Sequence, residues 1–357
     1  MPDVLSEQST AYRVLGEIAV GLDPEGICVD TSTKRAYVAS SRSNTVAVVD
    51  LERLLVLANI TVGTEPIDIV IDERTKRVFS ADARSDQLSV IDVVTNTVTG
   101  TVPVGTYPSG LAVDVERRRL YSGDSIGATM SVIDLDDLSC VGVVEAELGA
   151  GAIAVDTRRG RLYCVNFVAS SVTVVASADL RVLGRIPMDA GPCAAVVNPV
   201  LDELYVVNSL AGTVSRIDTM TGALLGEMPT ASAPVGLAIT AAGDRLYVAN
   251  RGEGTVSVLG ADGMEWARIP VGRAPGGVTV DTSCAGRVLV ANAGSGTITV
   301  VEDLLDGPPL QLAEDLGHPL VGKKLPRFSL PDMVTGHMRS GEEWQGKKYI
   351  LNFFASW

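Results

Sequence analysis

The sequence predicts an all-β protein, a closed ring of seven four-stranded sheets, and three observations predict it. The first is a strict period. The residue six places after a proline (Ala150 stands in for proline once) falls at Asp30, Asp72, Asp114, Asp156, Asn198, Thr240 and Asp281, in five steps of 42 residues and one of 41. The second is period-two alternation within each repeat, in runs rich in Val, Ile, Thr and Tyr broken by Gly, Asn or Asp turns. The third is a gradient of bulk. The first run of each repeat is small, with Gly26, Gly110, Ala152, Ala194, Ala195, Gly236 and Gly277, while the second centres on Tyr37, Phe79, Tyr121, Tyr163, Tyr205, Tyr247 and Leu289. Small side chains inside and bulky ones further out suit sheets that converge on an axis, as in a seven-bladed β-propeller.

Each element follows in order. Four strands of about five or six residues with four turns of about four or five fill about 42 residues. Helical repeats of this period would need 3.6-residue stripes, and none are present. Residues 1–11 read as an N-terminal arm. YRVLGEIAV at 12–20 matches RVLGRIPM at 181–188, four periods later, and so reads as the last strand of a unit whose other strands are missing. Seven complete inner triplets follow, and six have an outer strand directly downstream. The seventh ends at Val301 before a Pro-broken stretch, DLLDGPPLQL, so the N-terminal strand is expected to complete it. Such closure removes an open sheet edge. The propeller is placed at residues 12–302.

Tyr-Val-Ala-Asn at 247–250, Leu-Val-Ala-Asn at 289–292 and Tyr-Val-Val-Asn at 205–208 carry a further signal. This pattern resembles the YVTN family of β-propeller repeats, over about residues 12–302. The resemblance implies the fold and says little about activity.

A net charge of −14 argues against nucleic acid and anionic membrane surfaces as partners. No apolar run approaches the length needed to span a bilayer. The N-terminus is acidic and polar, without the layout of a signal peptide, so a cytoplasmic monomer is expected. An upstream start would make it extracytoplasmic. Five cysteines (Cys28, Cys140, Cys164, Cys193, Cys284) occupy unrelated repeat positions without a Cys-x-x-Cys pair, and read as inert core thiols.

The recurring Asp after the first strand invites a metal reading, yet at Asp30, Asp72, Asp114 and Asp156 it precedes basic residues across a tight turn. There an Asp bonds its own backbone, and no metal site is expected. Candidate ligand-binding residues lie instead in the fourth-to-first and second-to-third loops at one mouth of the channel: Asp23, Arg42, Glu65, Arg84, Tyr107, Arg251 and Arg273. Arg42 and Arg84 are equivalent in neighbouring blades, which would aim two guanidiniums at one anion. Neither His318 nor His337 lies in the propeller, so His-ligated metal and His-based acid–base catalysis are not expected on it. Seven-bladed lactonases resemble the ring but rely on such a His. Trp266 is its only Trp, which disfavours a quinone-cofactor propeller, and no cofactor is expected.

From residue 303 the pattern stops. Residues 303–318 read as an acidic, Pro/Gly-broken linker. Residues 319–357 carry Gly322, Pro326, Phe328, Leu330, Pro331, Gly346-Lys347 and then Leu351-Asn352-Phe353-Phe354-Ala355-Ser356-Trp357. This segment resembles the opening of a redoxin domain, a thioredoxin-like fold of thiol–disulfide oxidoreductases and peroxiredoxin-like proteins. In that family the strand ending in Ala-Ser-Trp is followed at once by Cys-x-x-Cys or a single peroxidatic Cys, activated at a helix start. The resemblance therefore implies a catalytic cysteine beyond Trp357, and no catalytic residue is assigned within the chain.

The leading expectation is a binding or scaffolding propeller, docking a protein partner or small anionic ligand at one face beside a thiol-redox domain. Two alternatives stand: a propeller enzyme hydrolysing a lactone or similar anionic ester at the Arg-lined mouth, and a purely structural interaction ring.

Overall fold

In a computed structural model the described residues are 12–283 and 286–304, with the backbone of two short strands, Ser329–Pro331 and Met338–Ser340. Residues 1–308 form one unit and 309–357 a second. In the second, Ser329–Pro331 pairs antiparallel with Met338–Ser340. The arm at 1–11, all but the first two residues of the linker expected at 303–318, and the rest of the redoxin-like segment lie outside the described residues. No helix among the described residues is long and apolar enough to cross a membrane, which leaves β-barrels unaddressed.

The first unit is an all-β propeller of seven four-stranded sheets. The inner strands are Pro24–Asp30, Pro66–Asp72, Pro108–Asp114, Ala150–Asp156, Pro192–Asn198, Pro234–Ile239 and Pro275–Asp281. In six blades the four strands are consecutive and antiparallel. In the seventh the outer strand is Tyr12–Ala19, paired antiparallel with Thr297–Asp303. The first and last strands of the propeller thus share one ladder. Asp303 belongs to that ladder and is buried in the ring.

The taper has a direct steric cause. A Cβ on Gly26 would stand 2.7 Å from the Asp68 backbone, and one on Gly236 only 2.1 Å from the Gly276 carbonyl. Side chains larger than hydrogen do not fit where those inner strands meet. The register also shifts near the start of every inner strand, as between Pro24 and Ile27 or Pro66 and Asp68. Each shift is a bulge that frees one or two residues from the ladder. Glu25, Ile67, Ser109, Cys193, Val235 and Gly276 line the channel there.

The core is a set of layers between adjacent blades. Tyr37, Val46 and Val48 of blade 1 pack on Ile69, Val78 and Ile91 of blade 2. Across the closing seam, Ile18, Leu289, Ile298 and Val300 pack on Ile27, Val38 and Val49 in the same manner. Full burial of one such side chain is worth about 1.5–3 kcal/mol.

The second strand of each blade ends in a polar anchor. Asn166, Asn208, Asn250 and Asn292 donate to the third-strand hydroxyls of Thr173, Ser215, Ser257 and Thr299 at 2.8–2.9 Å. In blades 2 and 3 the anchor is Asp82 or Asp124, accepting from Ser89 (2.6 Å) and Ser131 (2.7 Å). These bonds hold the second-to-third loop, and so set where the mouth residues stand.

The recurring Asp makes turn contacts. Asp30 accepts from the Ser32 backbone and the Ser32 and Thr33 hydroxyls. Asp114 and Asp156 accept from the Arg117 and Arg159 backbones at 2.9 Å. Burial pushes the Asp72 carboxyl up, but bonds from Thr75 and Arg118 outweigh it and hold it below the ordinary value.

Candidate functional site

Each loop between an outer strand and the next inner strand ends in a left-handed residue. Asp23, Glu65 and Tyr107 have φ of 58°, 58° and 61°, and Gly149, Gly191, Ala233 and Ala274 occupy the same place. Glu and Tyr in this region cost about 1–2 kcal/mol each. Their carbonyls accept from the second-to-third loop of the same blade: Ser41 to Asp23 and Ala83 to Glu65 at 3.0 Å, Ser125 to Tyr107 at 2.9 Å. The two loops of each blade are clasped together by this bond.

The side chains of blades 1 to 3 then form a polar cluster. Arg42 Nε lies 3.1 Å from Asp23 Oδ2. Arg84 pairs with Glu65, which also accepts from the Tyr107 hydroxyl at 2.7 Å. Burial, then the Glu65 bond, raises the Tyr107 phenol above its ordinary value. A depression of about 420 Å³ is lined by Asp23, Ser41, Arg42, Asn44, Thr64, Glu65 and Arg84. The two arginines do border one site, but each guanidinium faces a carboxylate of its own blade. That pairing weakens the attraction for a free anion.

Arg251 joins Asp23 and Arg42 in lining a second depression of about 420 Å³. Its guanidinium also forms a bidentate pair with Glu25 of the hub, at 3.0 and 3.2 Å. This bond joins blade 6 to blade 1 across the closing seam. Arg273 is exposed, donates its backbone N–H to Ser295 (2.8 Å) and has no ion pair among the described residues.

The hub holds a group that the sequence reading missed. Asp68 lines a channel of about 270 Å³ together with Glu25, Ser109 and Cys193. It occupies the position held elsewhere by Gly26, Gly110, Ala152, Ala194, Gly236 and Gly277, so a lone carboxyl in a column of Gly and Ala was the available signal. Its oxygens accept from the backbone N–H groups of Ile69 and Leu111, both at 2.8 Å. Burial pushes it up to about 6, against the pull of those two donors.

Among the described residues no activated nucleophile accompanies it. Burial pushes Cys164 and Cys193 up to about 12, and Cys28 well above its ordinary value, so these remain thiols. The core reading of the cysteines fails at Cys140, which is exposed at the start of an outer strand in blade 3. That strand faces solvent on its outer side, and period-two patterning does not separate an outer from an inner strand. Cys284 lies outside the described residues.

No protein-family model matches the chain, and no curated protein matches it. Its fold is that of a seven-bladed propeller, and solved structures share it. A chain of Kuenenia stuttgartiensis hydrazine synthase superposes with a TM-score of 0.74 at 20% identity, over 80% of this chain and 96% of that one. At that identity the likeness concerns the fold alone.

Proposed function

We propose that the ring is a binding scaffold whose working face is the mouth, and that it serves a thiol-redox domain opened by residues 319–357. One observation supports the scaffold reading above others. The mouth cluster pairs Asp23 with Arg42 and Glu65 with Arg84 in two neighbouring blades, with the Tyr107 hydroxyl of a third, and among the described residues no activated nucleophile stands beside it. Such a set orients a partner's polar groups by exchange of hydrogen bonds and does not drive bond cleavage. Protein segments with polar side chains, or small carboxylates, are the ligands it suits.

The redox half of the reading rests on Gly346-Lys347 and the strand ending in Ala355-Ser356-Trp357. In such a pairing the ring docks the substrate protein and the thiol domain exchanges its disulfide or reduces a peroxide. Two measurements test the proposal. Lactone turnover by the chain should be absent; hydrolysis lost on Arg84→Ala would replace the scaffold with an enzyme. A Cys codon directly after Trp357 supports the thiol chemistry, whereas a stop codon removes it.

A further inference from the structure

One repeat position samples the whole rim of the mouth. At steps of 42 residues it holds Arg42, Arg84, Ile126, Val168, Leu210, Gly252 and Gly294. Two cations are followed by three consecutive aliphatics and then by two bare glycines. Ile126, Val168 and Leu210 stand 61%, 60% and 72% exposed, and Leu148 and Phe167 are exposed between them. The loops are fixed by backbone bonds: Gly149 N–H to Ser125 (3.0 Å), Ala169 to Leu148 (3.1 Å) and Leu210 to Ala190 (3.2 Å). Isolated exposed aliphatics need no explanation, but an apolar arc across three adjacent blades is a mark of a docking surface.

Charge at one end of the arc says what it takes. Asp189 stands where Gly63, Gly105 and Gly272 sit in other blades, one residue before the carbonyl that receives the Leu210 N–H. Glu227 of the neighbouring outer strand lies against it. The bond to Asp189, then burial and like charge, raises the Glu227 carboxyl above its ordinary value. Both are exposed, and among the described residues neither is ion-paired with Lys or Arg. A second copy would bring the same acids to this face, and an anionic membrane would repel them.

We propose that the sector formed by Ile126, Leu148, Phe167, Val168 and Leu210 docks a basic amphipathic segment of a protein partner, with Lys or Arg seated at Asp189 and Glu227. The assignment rests on the mouth being the binding face and names the kind of partner that one sector of it takes. Apolar contact supplies the affinity, while the carboxylate pair fixes orientation and speeds encounter.

Fluorescence anisotropy of the full chain with three labelled 18-residue peptides tests it. An amphipathic Leu/Lys helix should bind, and Leu/Glu and Ser/Lys versions should bind at least about tenfold more weakly. The double variant Val168→Ser/Leu210→Ser should weaken Leu/Lys binding about tenfold, without a change in melting temperature, since both side chains are exposed. Asp189→Asn/Glu227→Gln should weaken it several-fold and reduce its salt dependence.

Equal binding by wild type and Val168→Ser/Leu210→Ser overturns the proposal, as does a Ser/Lys peptide that binds as well as Leu/Lys. A dimer in sedimentation, or adsorption to phosphatidylserine vesicles, that is abolished by the same double variant also overturns it, by naming another occupant. Weakening by Arg42→Ala/Arg84→Ala alone removes the sector and leaves the mouth as the binding face. Indifference to every one of these variants removes both.

Discussion

The guanidinium of Arg287 donates to the backbone carbonyl of Leu51 at 3.0 Å, across 236 residues of chain. The same clamp recurs elsewhere in the ring. Arg77 reaches the Leu135 carbonyl (3.3 Å) and Arg161 the Thr219 carbonyl, each 58 residues on, and Arg245 pairs with Asp303 at the same spacing. The separations 58 and 236 together make seven 42-residue periods, so Arg287 makes the local contact of its blade by reaching back to the first. Segments far apart in sequence are packed as ordinary neighbours.

The seam should therefore carry stability like any interior layer. Ile18, on the strand that closes blade 7, is buried against the seam cluster. Ile18→Ala should cost about 2–4 kcal/mol in chemical denaturation. Arg287→Ala, which removes the bond to Leu51, should cost about 1–2 kcal/mol. Loss below about 0.5 kcal/mol for both would mean that the seam is open in solution.

The two anchor aspartates stand where four other blades use asparagine. Burial raises the Asp82 carboxyl above its ordinary value, against bonds from Ser89, Ser80 and the Gly63 N–H. Because the folded state holds its proton more tightly than the unfolded chain, stability is greatest in acid and falls as pH rises through that window. Asp82→Asn keeps the acceptor and removes the buried charge. It should stabilise by about 0.5–2 kcal/mol at pH 7 and by little at pH 3. Melting curves at the two pH values check the difference; equal gains at both would place the cause elsewhere.

How much of this could be read from the sequence divides along a physical line. Position within a blade depends on local alternation and on the taper, so the small column from Gly26 to Gly277 and the tyrosines outside it located the strands. Turn bonding is equally local, and Asp30 and Asp114 bond as their following residues suggest. Partners across blades are set by loop conformation and by which rim positions face each other. Arg42 and Arg84 are equivalent in sequence, but the left-handed turns at Asp23 and Glu65 bring each a carboxylate of its own blade. Glu25 and Arg251 meet only because the ring closes. Asp68 was visible as an exception in its column; its place on the wall of a narrow channel was not, because only the closed ring makes a channel.

Buried tyrosines divide into two kinds. The Tyr121 hydroxyl is buried with no partner among the described residues, whereas the Tyr247 hydroxyl donates to Asp303. Tyr121→Phe removes an unsatisfied polar atom and should leave stability unchanged or raise it by up to about 1 kcal/mol. Tyr247→Phe strips a donor from a buried carboxylate and should cost about 1–3 kcal/mol. Denaturant midpoints of the two variants should move in opposite directions or by clearly different amounts.

Asp68 supplies the clearest pH dependence in the hub. Its folded value of about 6 lies above the ordinary carboxyl value near 4. The folded state thus binds the proton more tightly, so stability is full below about pH 4 and declines as pH rises to about 6. Water in the channel screens the charge, and the loss should amount to about 1–2 kcal/mol. Asp68→Asn retains an oxygen for the Leu111 N–H and carries no charge, so it should flatten this part of the profile and stabilise the ring at pH 7. A carboxyl carbon resonance titrating near 6 in the wild type, absent from the variant, would identify the group. Titration near 4 would mean that water reaches the carboxylate as freely as at the surface, and the hub would then be an open, wet pore around an ordinary acid.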